Sequence, residues 1–383
     1  MILQKTSTPE SLFSGDRFSV VYRIYGDERG ARAKAEDICI EQTVEFPAEE
    51  VPEGIIRDRI FGRIESFERC DAGSFKAIIS YAAELASGEL PQLLNVIFGN
   101  SSIKPGIRVE HLDLPESLLG KFKGPRFGRE GLRKLVSVPT RPLLATAVKP
   151  MGLSCPELAD LAYQFALGGM DIIKDDHGLT DQPCSPFEER VKRCAQAVQR
   201  ANRETGRPSL YVANITAPNG DVRKRARIAR KAGAGGLMVA PGLIGFDLMR
   251  ELAGDDAIGL PIMTHPALQG SFVTGPGGMS HGVIFGQLAR IAGADATIFP
   301  NFGGRFSFSR EECREIVAGT AEPMAHLKSI FPAPGGGMSL ARVPEMLETY
   351  GPDLVFLIGG GLFKHGPDLV ENCRYFRKMV DTM

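Results

Sequence analysis

Residues 168–177 read Gly168-Gly169-Met170-Asp171-Ile172-Ile173-Lys174-Asp175-Asp176-His177. A short apolar run over 170–173 stops abruptly at a lysine, two aspartates and a histidine. In a parallel sheet such a run is a strand buried on both faces, and polar groups at its carboxyl end mark where these folds do chemistry. The lysine has two readings. As an ammonium it is a salt-bridge partner at a strand end. Carbamylated by carbon dioxide, it becomes a further oxygen ligand beside the carboxylates for a hard divalent cation such as Mg2+.

Outward from this segment one unit repeats. From about Thr140, apolar runs over 143–148, 170–173, 210–215, 236–240, 260–264, 295–299, 329–331 and 354–358 alternate with Gly- or Pro-containing turns and helical patterns such as 156–167, 187–204, 222–232 and 310–327. The seventh run is weak by composition and is placed by the glycines after it. Eight β/α units in a row predict a (β/α)8 TIM barrel over 136–383; an open doubly wound sheet is the alternative, and eight equivalent units favour closure. Residues 1–135 differ. The stretch 18–25 alternates like an antiparallel strand, 56–67 looks like another, and 71–86 reads as helix plus strand. This predicts a smaller α+β, ferredoxin-like domain, joined to the barrel through a Gly/Pro/basic connector at 121–134.

Composition bounds the function. The 45 basic and 46 acidic residues nearly cancel, so no broad field points to nucleic acid or a membrane surface. The basic run at 223–231 reads as the solvated face of a helix. Seven scattered cysteines without a Cys-x-x-Cys pair favour neither a disulfide framework nor a zinc site and fit a reducing cytosol. No apolar stretch has the length of a signal peptide or a membrane span, so a cytoplasmic protein is expected.

The ends of the predicted strands give, in order, Lys149; Lys174-Asp175-Asp176-His177; Asn214 and Thr216; His265; Asn301 with Gly303-Gly304-Arg305; Gly335-Gly336-Gly337; and Gly359-Gly360-Gly361. Glycine turns after strands seven and eight expose backbone N–H groups where barrels bind phosphate, although tight βα turns also use glycine. A metal, a phosphate and two lysines suggest enolisation of a phosphorylated keto sugar: the cation lowers the energy of an enediolate and a nearby base moves the α-proton. A desolvated Lys149 would have a depressed pKa suited to that work. A plain ion pair between Lys149 and Asp176 is the competing reading.

Taken together, Lys149-Pro150-Met151-Gly152, the 168–177 segment, Phe98-Gly99-Asn100, His265, the two glycine triplets and His365 resemble the ribulose-bisphosphate carboxylase superfamily over most of the chain. The resemblance implies that Lys149 handles protons on the enediol, that Lys174 is carbamylated, and that Asp176 ligates Mg2+. It also implies a homodimer or multiple of dimers in which Asn100 and Glu41 reach a neighbouring subunit's site, with Glu45 a competing match to Glu41. The departures point to a form IV, carboxylase-like protein. His177 stands where the carboxylase has a glutamate ligand, and either ligates the metal or hydrogen-bonds beside it. The residues matching the distal-phosphate grip are Pro266, Ile298 and Gly335. Arg305 replaces the mobile-loop lysine that orients carbon dioxide, and an arginine fork cannot copy that point charge. The lysine-proline stretch is also a residue shorter, with Met151 at its end.

Three functions follow from the resemblance. The first is an isomerase or tautomerase acting on a monophosphorylated ketose of the 5-methylthioribulose-1-phosphate type, without carbon dioxide fixation. The second is a decarboxylase, transcarboxylase or hydrolase of a 3-oxo sugar-acid phosphate of the 3-oxo-isoapionate 4-phosphate type, with Arg305 gripping the carboxylate. The third is a non-catalytic regulatory relative, against which two costly buried cations argue. Lys149, Lys174 and His265 are the expected catalytic residues.

Overall fold

The computed structural model describes residues 9–306 and 308–382, and the chain forms two compact units. The first runs to Lys123 and includes Gly270–Gln287 and Pro323–Leu327. Its sheet is built around Arg17–Tyr25, where Phe18, Val20, Tyr22 and Ile24 alternate into the core. That strand pairs antiparallel with Ser74–Ala82 on one side and Ile107–Asp113 on the other. Arg63–Asp71 extends one edge, and the two-residue strand Gly278–Met279 extends the other in parallel. Helix Glu28–Glu41 starts where Asp27 accepts the Gly30 N–H at 2.7 Å, and it buries Ala31, Ala35 and Ile38.

Two expectations for this unit are corrected. Residues 71–86 hold no α-helix before a strand: Ser74–Ala82 is the strand, followed by the short 3-10 turn Ala83–Ala86. The stretch 56–67 begins as a single π turn, Ile56–Ile60, and extends only from Arg63. The hairpin with Ser74–Ala82 decides where that strand begins, and neighbour pairing of this kind outweighs local pattern.

The second unit is an eight-stranded parallel barrel. Strands one to eight are Leu143–Val148, Ile172–Asp175, Leu210–Asn214, Gly236–Val239, Ile262–Thr264, Ala296–Pro300, Phe331–Gly335 and Val355–Leu357. Each hydrogen-bonds the next from one to seven, and strand eight returns to pair with strand one, Val355 opposite Leu143. Among the described residues no ladder joins strands seven and eight. Strand seven carries Pro332 and Pro334, which have no N–H to give, while Phe331 spends its N–H on Asp295 toward strand six. The seam closes by packing instead: a Cβ at Gly335 would lie 3.1 Å from the Leu357 side chain. Inside, Leu143, Ala145, Ile172, Val212, Met238, Met263, Ala296, Ile298, Phe331, Ala333 and Val355 form one core, joined by Leu132 and Val136 of helix Gly128–Val136.

Element ends differ in places from the sequence reading. Strand two starts at Ile172, because Met170 still belongs to the preceding turn (its N–H donates to the Phe165 carbonyl at 3.1 Å) and the Asp171 carboxylate accepts from Arg141 at 2.7 and 2.8 Å. Strand seven runs to Gly335, well past 331. The helix expected over 310–327 ends at Ala321, two residues before Pro323. No described helix is long and apolar enough to cross a membrane.

Candidate active site

Strand alternation decides which side chains face the barrel interior. Ile172 packs in the core, so Lys174 two residues on faces the same way, and Asp175 between them faces the surrounding helices. Asp175 is fully buried there. It accepts from Tyr211 Oη at 2.7 Å, from the Asn214 N–H at 3.0 Å and from Arg190 Nε at 3.3 Å, the arginine coming from helix Phe187–Thr205. Arg190 spends its other nitrogens on the Ser185 and Thr180 carbonyls, both at 2.8 Å. Asn214 braces the loop beyond, donating Nδ2 to the carbonyls of His177 and Leu179 at 2.9 Å each. Asp175 and Asn214 therefore hold the strand-two loop in place.

Asp176 turns the other way. Its Oδ1 lies 3.7 Å from Lys149 Nζ and its Oδ2 lies 3.5 Å from His177 Nδ1. The His177 ring stacks on His265, with centroids 4.3 Å apart and planes 9° from parallel. Lys174 is buried, and its Nζ donates to the Asp175 carbonyl at 3.0 Å. Burial pushes its amine down from 10.5 to about 8, with the Asp176 charge opposing and the Lys149 charge adding to the shift. Burial also works to raise the Asp176 carboxyl. The His177 bond and the two lysine charges outweigh it and hold that carboxyl well below the usual carboxylate range. Burial, helped by Lys174 and His177, lowers His265 to about 2. The expectation of a desolvated Lys149 is corrected: its side chain is 37% exposed, and Lys174 is the buried amine.

The two glycine triplets differ in conformation. Gly336 and Gly337 have φ of +80° and +91°, open only to glycine at low cost. Gly335 ends strand seven, whereas Gly359 caps the short helix Gly360–Phe363, which starts within the second triplet. A Cβ at Gly359 would sit 3.0 Å from Lys149 Nζ, so the lysine amine lies directly over that backbone. Arg305 donates its N–H to the Gly336 carbonyl at 3.3 Å, and its guanidinium lies 5.5 Å from the Phe306 ring centre. In the first unit, Asn100 Nδ2 donates to both Glu41 at 3.0 Å and Glu45 at 3.3 Å, and Lys104 reaches Glu41 at 3.0 Å and Asp37 at 2.5 Å.

The catalytic-domain profile of the ribulose bisphosphate carboxylase large chain matches residues 129–382. The chain belongs to that family. Within it, a crystal structure of a Rubisco-like protein from Rhodopseudomonas palustris superposes with a TM-score of 0.87 at 38% identity, covering 95% of this chain and 97% of the other. The 5-methylthioribulose-1-phosphate isomerase of Rhodospirillum rubrum is 37% identical over 94% of this chain and 95% of its own. The 2,3-diketo-5-methylthiopentyl-1-phosphate enolase of Bacillus pumilus is 33% identical over 83% of this chain and 79% of its own.

This RuBisCO-like protein thus gathers Lys149, Lys174, Asp176, His177, His265 and Gly359 at one end of the barrel. At the positions that depart from the carboxylase, Ile298 lies in the apolar core, Gly335 is filled by Leu357, and Pro266 follows His265. Among the described residues no group of three or more His, Cys, Asp or Glu side chains is arranged to hold a metal ion. Asp176 and His177 therefore need an additional oxygen donor to make a cation site, and a modified Lys174 beside them has the right chemistry to provide it. Sequence reasoning missed the Arg190–Asp175–Tyr211 knot. The signal was available: with Ile172 facing in, odd-numbered neighbours face the helices.

Proposed function

We propose that this chain catalyses proton transfer on a monophosphorylated ketose of the 5-methylthioribulose-1-phosphate type, without fixing carbon dioxide. The observation that supports it most is the grouping of two lysine amines around one carboxylate, Asp176, with a neutral imidazole alongside. Carbamylated Lys174, Asp176 and His177 would hold Mg2+. When bound, the cation polarises neighbouring substrate oxygens and favours an enediolate. Lys149 takes the α-proton and returns it to the adjoining carbon, with Gly359 keeping the space its amine occupies. The backbone N–H groups of Gly336, Gly337, Gly360 and Gly361 are assigned to the phosphate. Asn100 and Glu41 are assigned to a partner's site in a homodimer or multiple of dimers, an arrangement that family membership supports.

Carboxylation of ribulose bisphosphate is not expected. Pro266 and Ile298 offer a second phosphate no donor, and an unpaired buried charge costs on the order of 3–5 kcal/mol. A second reading, decarboxylation, transcarboxylation or hydrolysis of a 3-oxo sugar-acid phosphate, rests on Arg305, whose exposed guanidinium suits a substrate carboxylate. Proton NMR in deuterated water separates the two. Exchange at the α-carbon of 5-methylthioribulose 1-phosphate is expected with Mg2+ and bicarbonate present. Consumption of the keto sugar acid alone, with no exchange on the ketose, selects the second.

A further inference from the structure

The loop that follows strand six lies directly on the glycine turn that follows strand seven. A Cβ at Gly304 would collide with the Gly336 carbonyl oxygen, and one at Gly337 would lie 3.0 Å from both the Arg305 nitrogen and the Gly304 Cα. Two backbones this close leave no room for a side chain on either. The approach fixes two peptide planes. The Asn301 N–H donates to the Gly335 carbonyl at 2.8 Å, and the Arg305 N–H donates to the Gly336 carbonyl at 3.3 Å. In a planar trans peptide the N–H points opposite to the C=O. Both carbonyls face the strand-six loop, so the N–H groups of Gly336 and Gly337 both face away from it, on one side of the turn. Gly336 is half-buried and Gly337 exposed, and among the described residues neither N–H has a backbone acceptor.

The loop is braced from behind. Asn301 is buried, and its Oδ1 accepts from Tyr350 Oη at 2.5 Å, while Arg342 Nη1 donates to the Phe302 carbonyl at 2.9 Å. The guanidiniums of Arg310 and Arg342 lie 4.6 and 5.0 Å from the Phe302 ring centre, and Glu345 pairs with both arginines. Helix Val343–Tyr350 and the arginine before it thus hold the loop against the turn.

We infer, on the phosphate assignment made above, that Gly304 and the Arg305 N–H are positioning groups for that phosphate. They touch no substrate. By holding the Gly336 carbonyl they aim two N–H donors at one anion in advance, which cuts the ordering cost of binding it. The role belongs to the Arg305 backbone and does not require its guanidinium.

Phosphorus-31 NMR titration of inorganic phosphate with the full chain tests this without any reaction. Gly304→Ala, at native Tm, should weaken phosphate binding about tenfold or more, the worth of one misdirected charge-assisted hydrogen bond. Arg305→Pro deletes the N–H on an exposed part of the loop, should lose as much, and decides the matter where Gly304→Ala folds poorly. Arg305→Met keeps the N–H and loses the guanidinium, and should lose no more than about threefold. Equal losses in Arg305→Pro and Arg305→Met would give the anion to the guanidinium and overturn the inference, as would native affinity in Gly304→Ala. In both cases the native protein still binds phosphate, so the assignment to the glycine turn survives. If the native protein binds no inorganic phosphate, that assignment fails and the inference with it. On 5-methylthioribulose 1-phosphate, Gly304→Ala should raise KM about tenfold with kcat within about threefold. The reverse split would place the loop in the chemistry and contradict a role confined to the phosphate.

Discussion

Asp175 and Asp176 are neighbours in the chain and opposites in their surroundings. Asp175 faces the helices, has no exposed surface, and meets a tyrosine hydroxyl, a backbone N–H and a guanidinium whose own nitrogens are also occupied. Asp176 faces the barrel interior, is partly exposed, and has the Lys149 amine at 3.7 Å and the His177 ring at 3.5 Å. One carboxylate has its hydrogen bonds satisfied within the protein. The other is held ionised by the His177 bond and by the charges of Lys149 and Lys174. The strand's period of two produces both, so stability and chemistry are separated by a single residue.

The largest expected effect is on the Asp176 side. Lys149→Met should lower α-proton exchange by about 10²–10⁴, the range for a positioned acid–base group. Its stability should stay within about 1 kcal/mol of native, since a 37% exposed lysine 3.7 Å from its partner contributes little. Native-rate exchange in that variant would move the base elsewhere. Lys104 is a poor substitute, being tied to Asp37 and Glu41.

The Asp175 side should show the reverse. Asp175→Ala leaves Arg190 charged and buried without its partner, and should cost about 3–5 kcal/mol in urea denaturation. A loss below about 1 kcal/mol would mean that the knot is not structural and would erase the contrast between the two aspartates.

Much of this was legible in the sequence, and the failures have identifiable causes. Continuous apolar runs located seven of the barrel strands, because burial on both faces leaves a strong signal, and the glycines after it placed the remaining one. Strand seven was nearly lost because Pro332 and Pro334 look like breakers; they are tolerated on the side that has no ladder to strand eight. In the first unit, the pairing of Ser74–Ala82 with two neighbours decided its structure, and pairing partners are distant in sequence. The strand-end lysines, Asp176 and the histidines could be read from their positions. The burial of Lys174 rather than Lys149 could not, because it depends on where each strand ends relative to the others.

A smaller effect follows from that burial. In metal-free, carbon-dioxide-free buffer the Lys174 amine titrates near 8 in the folded protein and near 10.5 when unfolded. Between those values the unfolded chain binds the extra proton, so stability should rise with pH across this window, by on the order of 3 kcal/mol in this contribution. Lys174→Met should remove that rise. An unchanged slope in the variant would show that Lys174 is not the desolvated amine.

The Asp176 cluster is proposed to be completed by a carbamate on Lys174. Carbon-13 NMR of the protein in labelled bicarbonate with Mg2+ tests it most directly. A carbamate resonance should be present that strengthens with Mg2+ and disappears in Lys174→Met. A spectrum showing bicarbonate alone, with Lys174 left as an amine at saturating Mg2+, would contradict the account.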